Sequence, residues 1–500
     1  MTPTVSEVER GAADLVVASN RGPVEMHDGA DGVVARRGSG GLIAVLGPAL
    51  ASRGGVWVAS ALTPAERAMA RAAARGRLRA TVELPEGPVG LRLLDHDRVR
   101  YAQYYGRTSN ELLWFLHHHM FDLTRQPVFD AALRASWSGY RDVNDAFAAA
   151  CAEEAAEGGA VLIQDYHLSL APRRLRSLRP DVRSAHFTMV PWADPDYFAV
   201  VPEPIARELV DGLLGADMVC FLVARWAEAF LACCQRLGYA VDRARTAVRD
   251  GDGRWAAVRC FPVGVDPETL RRRASEPDVE RHKRALRELA GDRRLVVRVD
   301  RMEPSKNVLR GLAAFSELLQ REPALRGRVV HFVLAYASRG ELAAYRQYAE
   351  DVRRRVEEIN RRFGTADWRP VVLETRNDFG RGLAAMALAD VLVVNPLRDG
   401  MNLVAKEGPV VSEGGLALVL SRHAGAVDDL ADGAALVDPF DVSALAARIS
   451  SALAMSGEER AARLDKLRRG AGALPPGRWL AAATAELERV AAARPDAVIL

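Results

Sequence analysis

Short apolar runs alternate with helical stretches along the whole chain. In the first half, residues 15–19, 56–60, 161–164, 185–190 and 218–222 predict strands. Residues 64–75, 143–157 and 204–214 predict helices between them. The first of these has Thr63 as N-cap, Pro64 at the first helical position and Gly76 just past its end. In the second half the strands fall at 295–298, 329–335, 371–375, 391–395, 416–420 and 435–437, and 341–363 is a long helix. Unbroken apolar runs suit strands buried on both faces, and strand–helix alternation suits a parallel, doubly wound sheet. Two such series predict an α/β chain of two Rossmann-like domains facing across a cleft. The division falls near residues 261–267, giving an N-terminal domain over 1–262 and a C-terminal domain over 263–475. A last amphipathic helix over 478–494, in the segment 476–500, is expected to pack back on the N-terminal domain. Ligands of such sheets bind beyond the carboxyl ends of the strands, so the residues after each strand hold the chemistry.

Composition narrows the functional classes. The 500 residues are 49% hydrophobic and 27% charged, enough apolar material for large cores and too much for disorder. The 68 basic and 65 acidic residues leave a net charge of +3, so no general polyanion-binding surface is implied and no nucleic-acid partner is expected. Only four of the basic residues are Lys, at 283, 306, 406 and 466, which makes a Lys in a loop worth notice. Cys151, Cys220, Cys233, Cys234 and Cys260 show no CxxC spacing and read as buried, reduced thiols. The N-terminus has no basic segment followed by an apolar one, and no apolar run reaches ~18 residues. The expectation is a soluble, cytoplasmic protein with no membrane partner.

The candidate chemistry follows the strands. Arg21, in Ser19-Asn20-Arg21-Gly22-Pro23, sits where a strand-end Arg meets an anion, although a surface Arg is equally common here. Gly38-Ser39-Gly40-Gly41-Leu42 opens a predicted helix without matching a phosphate-loop pattern. Tyr104 to Asn110, then Trp114 and His117–His119, form a polar and aromatic block. It suits a sugar, or simply a helix capped by Ser109 or Asn110, and shows no metal spacing. Asp165 and His167 follow the strand at 161–164. In the second half, Arg301 and Lys306 share one strand–helix loop and could bracket two phosphates. Arg339 follows the next strand. Asp399-Gly400-Met401-Asn402-Leu403-Val404 then leads into a helix start, where free N–H groups favour a phosphate, with Glu407 one turn further on.

Taken together, the segments SNRGPV, GGL, the Tyr104–Trp114 block, QDYHL, DRMEPSKN, ASRGELAAY and PLRDGMNLVAKE resemble, in order, the trehalose-6-phosphate synthase family. These are retaining glycosyltransferases of GT-B fold. The resemblance spans roughly residues 14–480. It implies transfer of glucose from a nucleoside diphosphate sugar, GDP- or UDP-linked, to glucose 6-phosphate, with no metal and no cofactor. It implies that Arg21, Tyr105 and Arg339 hold the acceptor phosphate, with Gly41 in the acceptor site, and that Trp114 and Asp165 hold the acceptor sugar. Arg301 and Lys306 would bind the donor diphosphate. Asp399, Gly400, Met401 and Asn402 would meet the donor sugar, Leu403 and Val404 would offer N–H groups, and Glu407 would hold the ribose. Arg301, Lys306 and Asp165 would carry catalysis by same-face substitution, the acceptor hydroxyl giving its proton to a phosphate oxygen. The residues agree: no pair of carboxylates is placed as nucleophile and acid, whereas cations sit where phosphate charge would develop.

One departure stands out. Where the family has a donor-contacting His, in His-x-Pro-Phe/Trp, this chain has Met189-Val190-Pro191-Trp192. A thioether donates no good hydrogen bond, and His186 at an odd offset points to the other face. Three readings follow. The first is a synthase that tolerates Met189. The second is a pseudoglycosyltransferase that couples a nucleotide-activated cyclitol or modified sugar to a phosphorylated aminocyclitol or other acceptor, as in natural-product biosynthesis. The third is an inactive regulatory paralogue, which the intact phosphate-binding residues disfavour. The resemblance leaves the nucleotide base, the acceptor and any homo-oligomer open.

Overall fold

The first sheet runs through eleven strands. They are β1 (Val5–Glu9), β2 (Ala13–Ala18), β5 (Val56–Ser60), β6 (Leu78–Leu84), β7 (Gly87–Leu94), β8 (Ala155–Gln164), β9 (Arg183–Thr188), β10 (Met218–Phe221), β11 (Val241–Asp242), β12 (Ala247–Arg249) and β13 (Trp255–Cys260); β3 (Val24–Gly29) and β4 (Gly32–Arg37) form a separate hairpin. The structure, a computed structural model, describes residues 5–9, 11–29, 32–37, 46–47, 50–51, 53–76, 78–84 and 87–493. The sheet order is β1-β6-β7-β5-β2-β8-β9-β10-β13-β12-β11. Its centre, from β7 to β13, is parallel throughout, and antiparallel strands flank it on both sides. In chain order the parallel strands read 3-2-1-4-5-6-7, so the direction of winding reverses between β2 and β8. That is where a doubly wound sheet opens its ligand crevice.

The second sheet is parallel throughout. Its strands are β14 (Arg294–Met302), β15 (Val329–Ala337), β16 (Val371–Glu374), β17 (Val391–Val394), β18 (Ala417–Ser421) and β19 (Ala435–Val437), in the order β16-β15-β14-β17-β18-β19. This is the 3-2-1-4-5-6 order of dinucleotide-binding folds, with the reversal between β14 and β17. The central strands are apolar because both faces are covered: Val296, Val297, Phe332, Val333, Val391, Leu392 and Val393 are all 0% exposed.

The contacts divide the chain into two units, Met1–Pro262 with Pro476–Leu500, and Val263–Pro475. The last helix, Pro476–Ala492, thus belongs to the first unit. Its Trp479 is fully buried, donates Nε1–H to the Phe261 carbonyl at 2.8 Å and tilts against Phe187 at 5.0 Å. The helix Pro64–Gly76 begins as predicted, with a reciprocal cap. Thr63 Oγ1 accepts the Glu66 N–H, and Glu66 Oε2 accepts the Thr63 N–H, both at 3.1 Å.

Two local expectations need correction. Ser109 and Asn110 do not cap a helix; both are buried inside the continuous π-helical segment Gln103–Leu113. Cys260 is exposed, unlike the other four thiols, because it lies at the end of β13. Among the described residues, no helix is long and apolar enough to cross a membrane.

Candidate functional site

In the first unit the candidate residues gather where the winding reverses. Arg21 follows β2 and Asp165 follows β8, the two strands that flank the reversal. Arg21 Nη1 donates to Glu25 Oε1 at 3.1 Å, and its guanidinium also meets the Tyr105 hydroxyl. Tyr105 stacks on Tyr101 at 5.7 Å and on His167 at 5.8 Å, and Tyr101 donates its hydroxyl hydrogen to Asn20 Oδ1 at 3.2 Å. His167 Nδ1 lies 3.7 Å from Asp165 Oδ2, so Arg21, Tyr105 and Asp165 share one continuous cluster. Trp114 is 5% exposed and sits against His118 and Tyr166, whose rings lie 3.9 and 5.7 Å away. Its indole therefore reaches the cluster through Tyr166, which donates its hydroxyl hydrogen to Asn110 Oδ1 at 2.9 Å. Gly41 lies outside the described residues.

Asp165 is held in an unusual backbone state, φ 71° and ψ 165°, which is costly for any residue with a Cβ. The turn is fixed by its own hydrogen bonds. Asp165 N–H donates to the Phe187 carbonyl at 2.7 Å, and Asp165 Oδ1 accepts the N–H of Tyr166 at 3.0 Å and of Met189 at 3.3 Å. His186 is fully buried, and its Nε2 lies 3.1 Å from the Asp165 carbonyl oxygen. Burial pushes its pKa down to about 3, so it stays neutral. Met189, just past the end of β9, is thus tied to Asp165 by its backbone N–H, and His186, within β9, meets the same residue at its carbonyl oxygen.

The second unit assembles a denser charge cluster. Strand β14 runs further than predicted and includes Arg301, so the loop after it carries Glu303 and Lys306 only; Arg339 follows β15. Leu397 N–H donates to the Ser305 carbonyl at 2.8 Å, and Asn307 Nδ2 donates to the Asn395 carbonyl at 3.1 Å. These bonds join the loops that follow β14 and β17 across the reversal. They place Lys306 on Asp399, with which it makes an ion pair. Burial works against the charge on Lys306, and Asp399 and Glu303 more than offset it, so its pKa rises. Arg339, with φ 49°, donates from Nη1 to the Tyr345 hydroxyl at 2.7 Å.

The turn Asp399–Leu403 then aims the next helix, Val404–Val411. Asn402 sits at φ 80°; its Nδ2 donates to Asp399 Oδ2 at 3.1 Å and its Oδ1 accepts the Ala405 N–H at 3.2 Å. The N–H groups of Leu403 and Val404 stand at the helix start, where no intrahelical acceptor reaches them. Gly400 and Met401 are buried in the turn, and burial alone pushes Glu407, one turn on, up to about 7. Lys406 points the other way: it is 1% exposed and donates to Asp429 Oδ2 at 2.6 Å and the Val263 carbonyl at 2.7 Å. Among the described residues, no group of three His, Cys, Asp or Glu is placed to hold a metal ion.

Phosphate-binding candidates at both reversals call for comparison with known enzymes. A model of glycosyltransferase family 20 matches residues 13–489. The chain belongs to glycosyltransferase family 20. It is 36% identical to the trehalose-6-phosphate synthase of Mycobacterium sp. (strain JLS) over 491 residues, 94% of this chain and 95% of that protein. Its fold superposes on an α,α-trehalose-phosphate synthase (UDP-forming) from Burkholderia vietnamiensis with a TM-score of 0.80 and 29% identity, covering 95% of this chain and 99% of that one. The corresponding enzyme from Burkholderia xenovorans, solved in complex with glucose-6-phosphate, gives a TM-score of 0.82 at 27% identity, covering 96% and 100%. The chain is therefore a glycosyltransferase of GT-B fold.

Two further residues shape the candidate site of the second unit, Glu303 and Gly425. Glu303 stands inside the DRMEPSKN segment, and its complete burial between cations has no signal in the sequence. Gly425 backs the Asp399 turn: its N–H donates to the Asp399 carbonyl at 3.1 Å, and Ala426 N–H donates to the Met401 carbonyl at 2.8 Å. No spacing rule links it to a turn so far upstream.

Proposed function

We propose that the protein transfers a glycosyl group, with retention, from a nucleoside diphosphate sugar to glucose 6-phosphate, giving trehalose 6-phosphate. The observation that supports this most is the cluster of Arg301, Lys306 and Arg339 with the Asp399 turn at the β14/β17 reversal. Arg301 and Lys306 take the diphosphate, aided by the Leu403 and Val404 N–H groups. Asp399, Gly400, Met401 and Asn402 take the donor sugar, with Met189 beside it, and Glu407 takes the ribose hydroxyls. Arg339, Arg21 and Tyr105 take the acceptor phosphate, and Trp114 and Asp165 take its sugar. Gly41 is assigned to the acceptor on sequence alone.

In the reaction, the bond from the anomeric carbon to the diphosphate oxygen breaks, and the acceptor hydroxyl oxygen bonds to the same face. Its proton passes to the departing phosphate oxygen. Arg301 and Lys306 stabilise the charge that grows on that phosphate, the kind of preorganised electrostatics that dominates such barriers. The reading assigns no metal and no cofactor. UDP is the first nucleotide to try, because the Burkholderia relatives are UDP-forming. Met189 favours a second reading, in which the donor is a modified sugar or cyclitol.

Incubating the protein with UDP-glucose or GDP-glucose and glucose 6-phosphate, and analysing the product by mass and NMR, tests the proposal. Trehalose 6-phosphate and free nucleoside diphosphate in equal amounts are expected. Failure with every glucosyl nucleotide defeats the first reading and leaves the second.

A further inference from the structure

Glu303 is an acid with no exposed surface at all, set among cations. Its Oε1 lies 3.2 Å from Arg301 Nη2 and accepts the Ser305 hydroxyl hydrogen at 3.0 Å. Its Oε2 accepts from Arg339 Nη1 at 3.3 Å. Its backbone closes the same loop: Glu303 N–H donates to the Arg301 carbonyl at 2.9 Å, and the Glu303 carbonyl accepts the Lys306 N–H at 3.1 Å. Burial disfavours the carboxylate, and Arg301, Arg339 and Lys306 outweigh it, so Glu303 stays ionised. One carboxylate therefore faces two guanidiniums, one on each oxygen. The two guanidiniums come from different segments, Arg301 from β14 and Arg339 from the loop just past β15.

We propose that Glu303 is a positioning residue that aims Arg301 and Arg339 as a pair, so that one carboxylate sets the recognition of both the donor diphosphate and the acceptor phosphate. It touches neither substrate. The inference rests on the roles given to Arg301 and Arg339 under Proposed function. Two physical roles for such an acid predict opposite results. A mere counter-ion competes with phosphate for the cations, so neutralising it tightens phosphate binding. A positioner fixes the geometry of charge-assisted hydrogen bonds, so neutralising it weakens binding at both places.

Calorimetric titration of the full chain with UDP or GDP, and separately with glucose 6-phosphate, distinguishes them. Glu303→Gln keeps the side chain's size and removes its charge. It should weaken both the nucleoside diphosphate and glucose 6-phosphate by at least about fivefold, the loss expected from misaimed charge-assisted bonds. Its melting temperature should stay near that of the wild type. Glu303→Asp, which keeps the charge on a shorter arm, should fall between. In turnover, both KM values should rise in Glu303→Gln. Affinities within twofold of wild type, tighter binding, or weakening of one ligand alone would each overturn the inference. If Glu303→Gln does not fold, Glu303→Asp decides: weakening of both ligands upholds the role, and unchanged affinities overturn it. A wild type that binds both ligands isolates the failure to Glu303. A wild type that binds neither removes the proposed function and this inference with it.

Discussion

Glu407 shows how much a single residue's surroundings decide. Burial raises its pKa from 4.5 to about 7, so the carboxyl is mostly protonated below that pH. A folded pKa above the unfolded one contributes stability that is complete below about pH 4.5 and lost as pH rises through about 7. Ribose hydroxyls donate to a carboxylate, and so favour its ionised form. Nucleoside diphosphate binding just below pH 7 should then release a proton from Glu407. Calorimetry in two buffers of different ionisation enthalpy reads this directly. Glu407→Gln isolates the residue, because the ligand's own phosphate proton is common to both proteins. Equal proton release in the two would contradict the assignment. Met189 gives a second test at this scale. A missing hydrogen bond to the donor costs ~1–3 kcal/mol, roughly fivefold to a hundredfold in rate. Met189→His should raise kcat/KM for a glucosyl donor by roughly that factor, and an unchanged value would defeat the account. Arg301, Lys306 and Asp399 could be picked out because each has its charge at or just after the carboxyl end of a strand. Glu303 could not, since an acid between two cations reads the same whether solvated or buried. The rarity of Lys pointed correctly at Lys306, yet Lys406 spends its charge on Asp429 in the interior.

At the scale of elements, the parallel strands were legible because burial on both faces leaves them uniformly apolar. Strands β6 and β7 were not, since β7 alternates buried and partly exposed positions and carries Gly and Pro. The π-helical segment Gln103–Leu113 was also hidden. Ser109 and Asn110 are buried, and Asn110 accepts from the Tyr166 hydroxyl, a tertiary choice with no local signal. The Asp399 turn is the most constrained element of the candidate site. A Cβ on Gly425 would collide with the Gly400 carbonyl and come within 2.9 Å of the Met401 Cα. The nearest atoms are all backbone of the turn itself, so no flexible side chain is there to yield. Gly425→Ala should therefore displace the Asp399–Asn402 turn, cutting kcat/KM for the donor by ten- to a hundredfold, about the cost of a misplaced positioning group. Circular dichroism should show the helices intact. A variant with wild-type kinetics would show that the turn does not set donor geometry.

The net charge of the whole molecule hides this organisation. Arg301, Arg339 and Lys306 are matched within the second unit by Glu303 and Asp399, so a strong local site leaves almost no trace in a total of +3. Chain order hides something similar. The first unit is built from two separated stretches, and its last helix arrives only after the second unit is complete. Trp479 anchors that helix: it is fully buried against Phe187 of β9 and bonded to the Phe261 carbonyl just past β13. Glu486 adds an ion pair with Arg259 of β13 at 2.6 Å. Truncating a buried Trp to Ala costs about 3–5 kcal/mol, most of it as lost packing around the cavity. Trp479→Ala should thus loosen the first unit at β9 and β13 and leave the second sheet alone. Hydrogen exchange read by mass spectrometry resolves this by segment. Peptides covering β9 and β13 should exchange faster, while those from β14 to β19 keep their wild-type protection. A uniform rise along both units would mean that the helix supports the chain as a whole, and unchanged protection at β9 would mean that Trp479 anchors nothing.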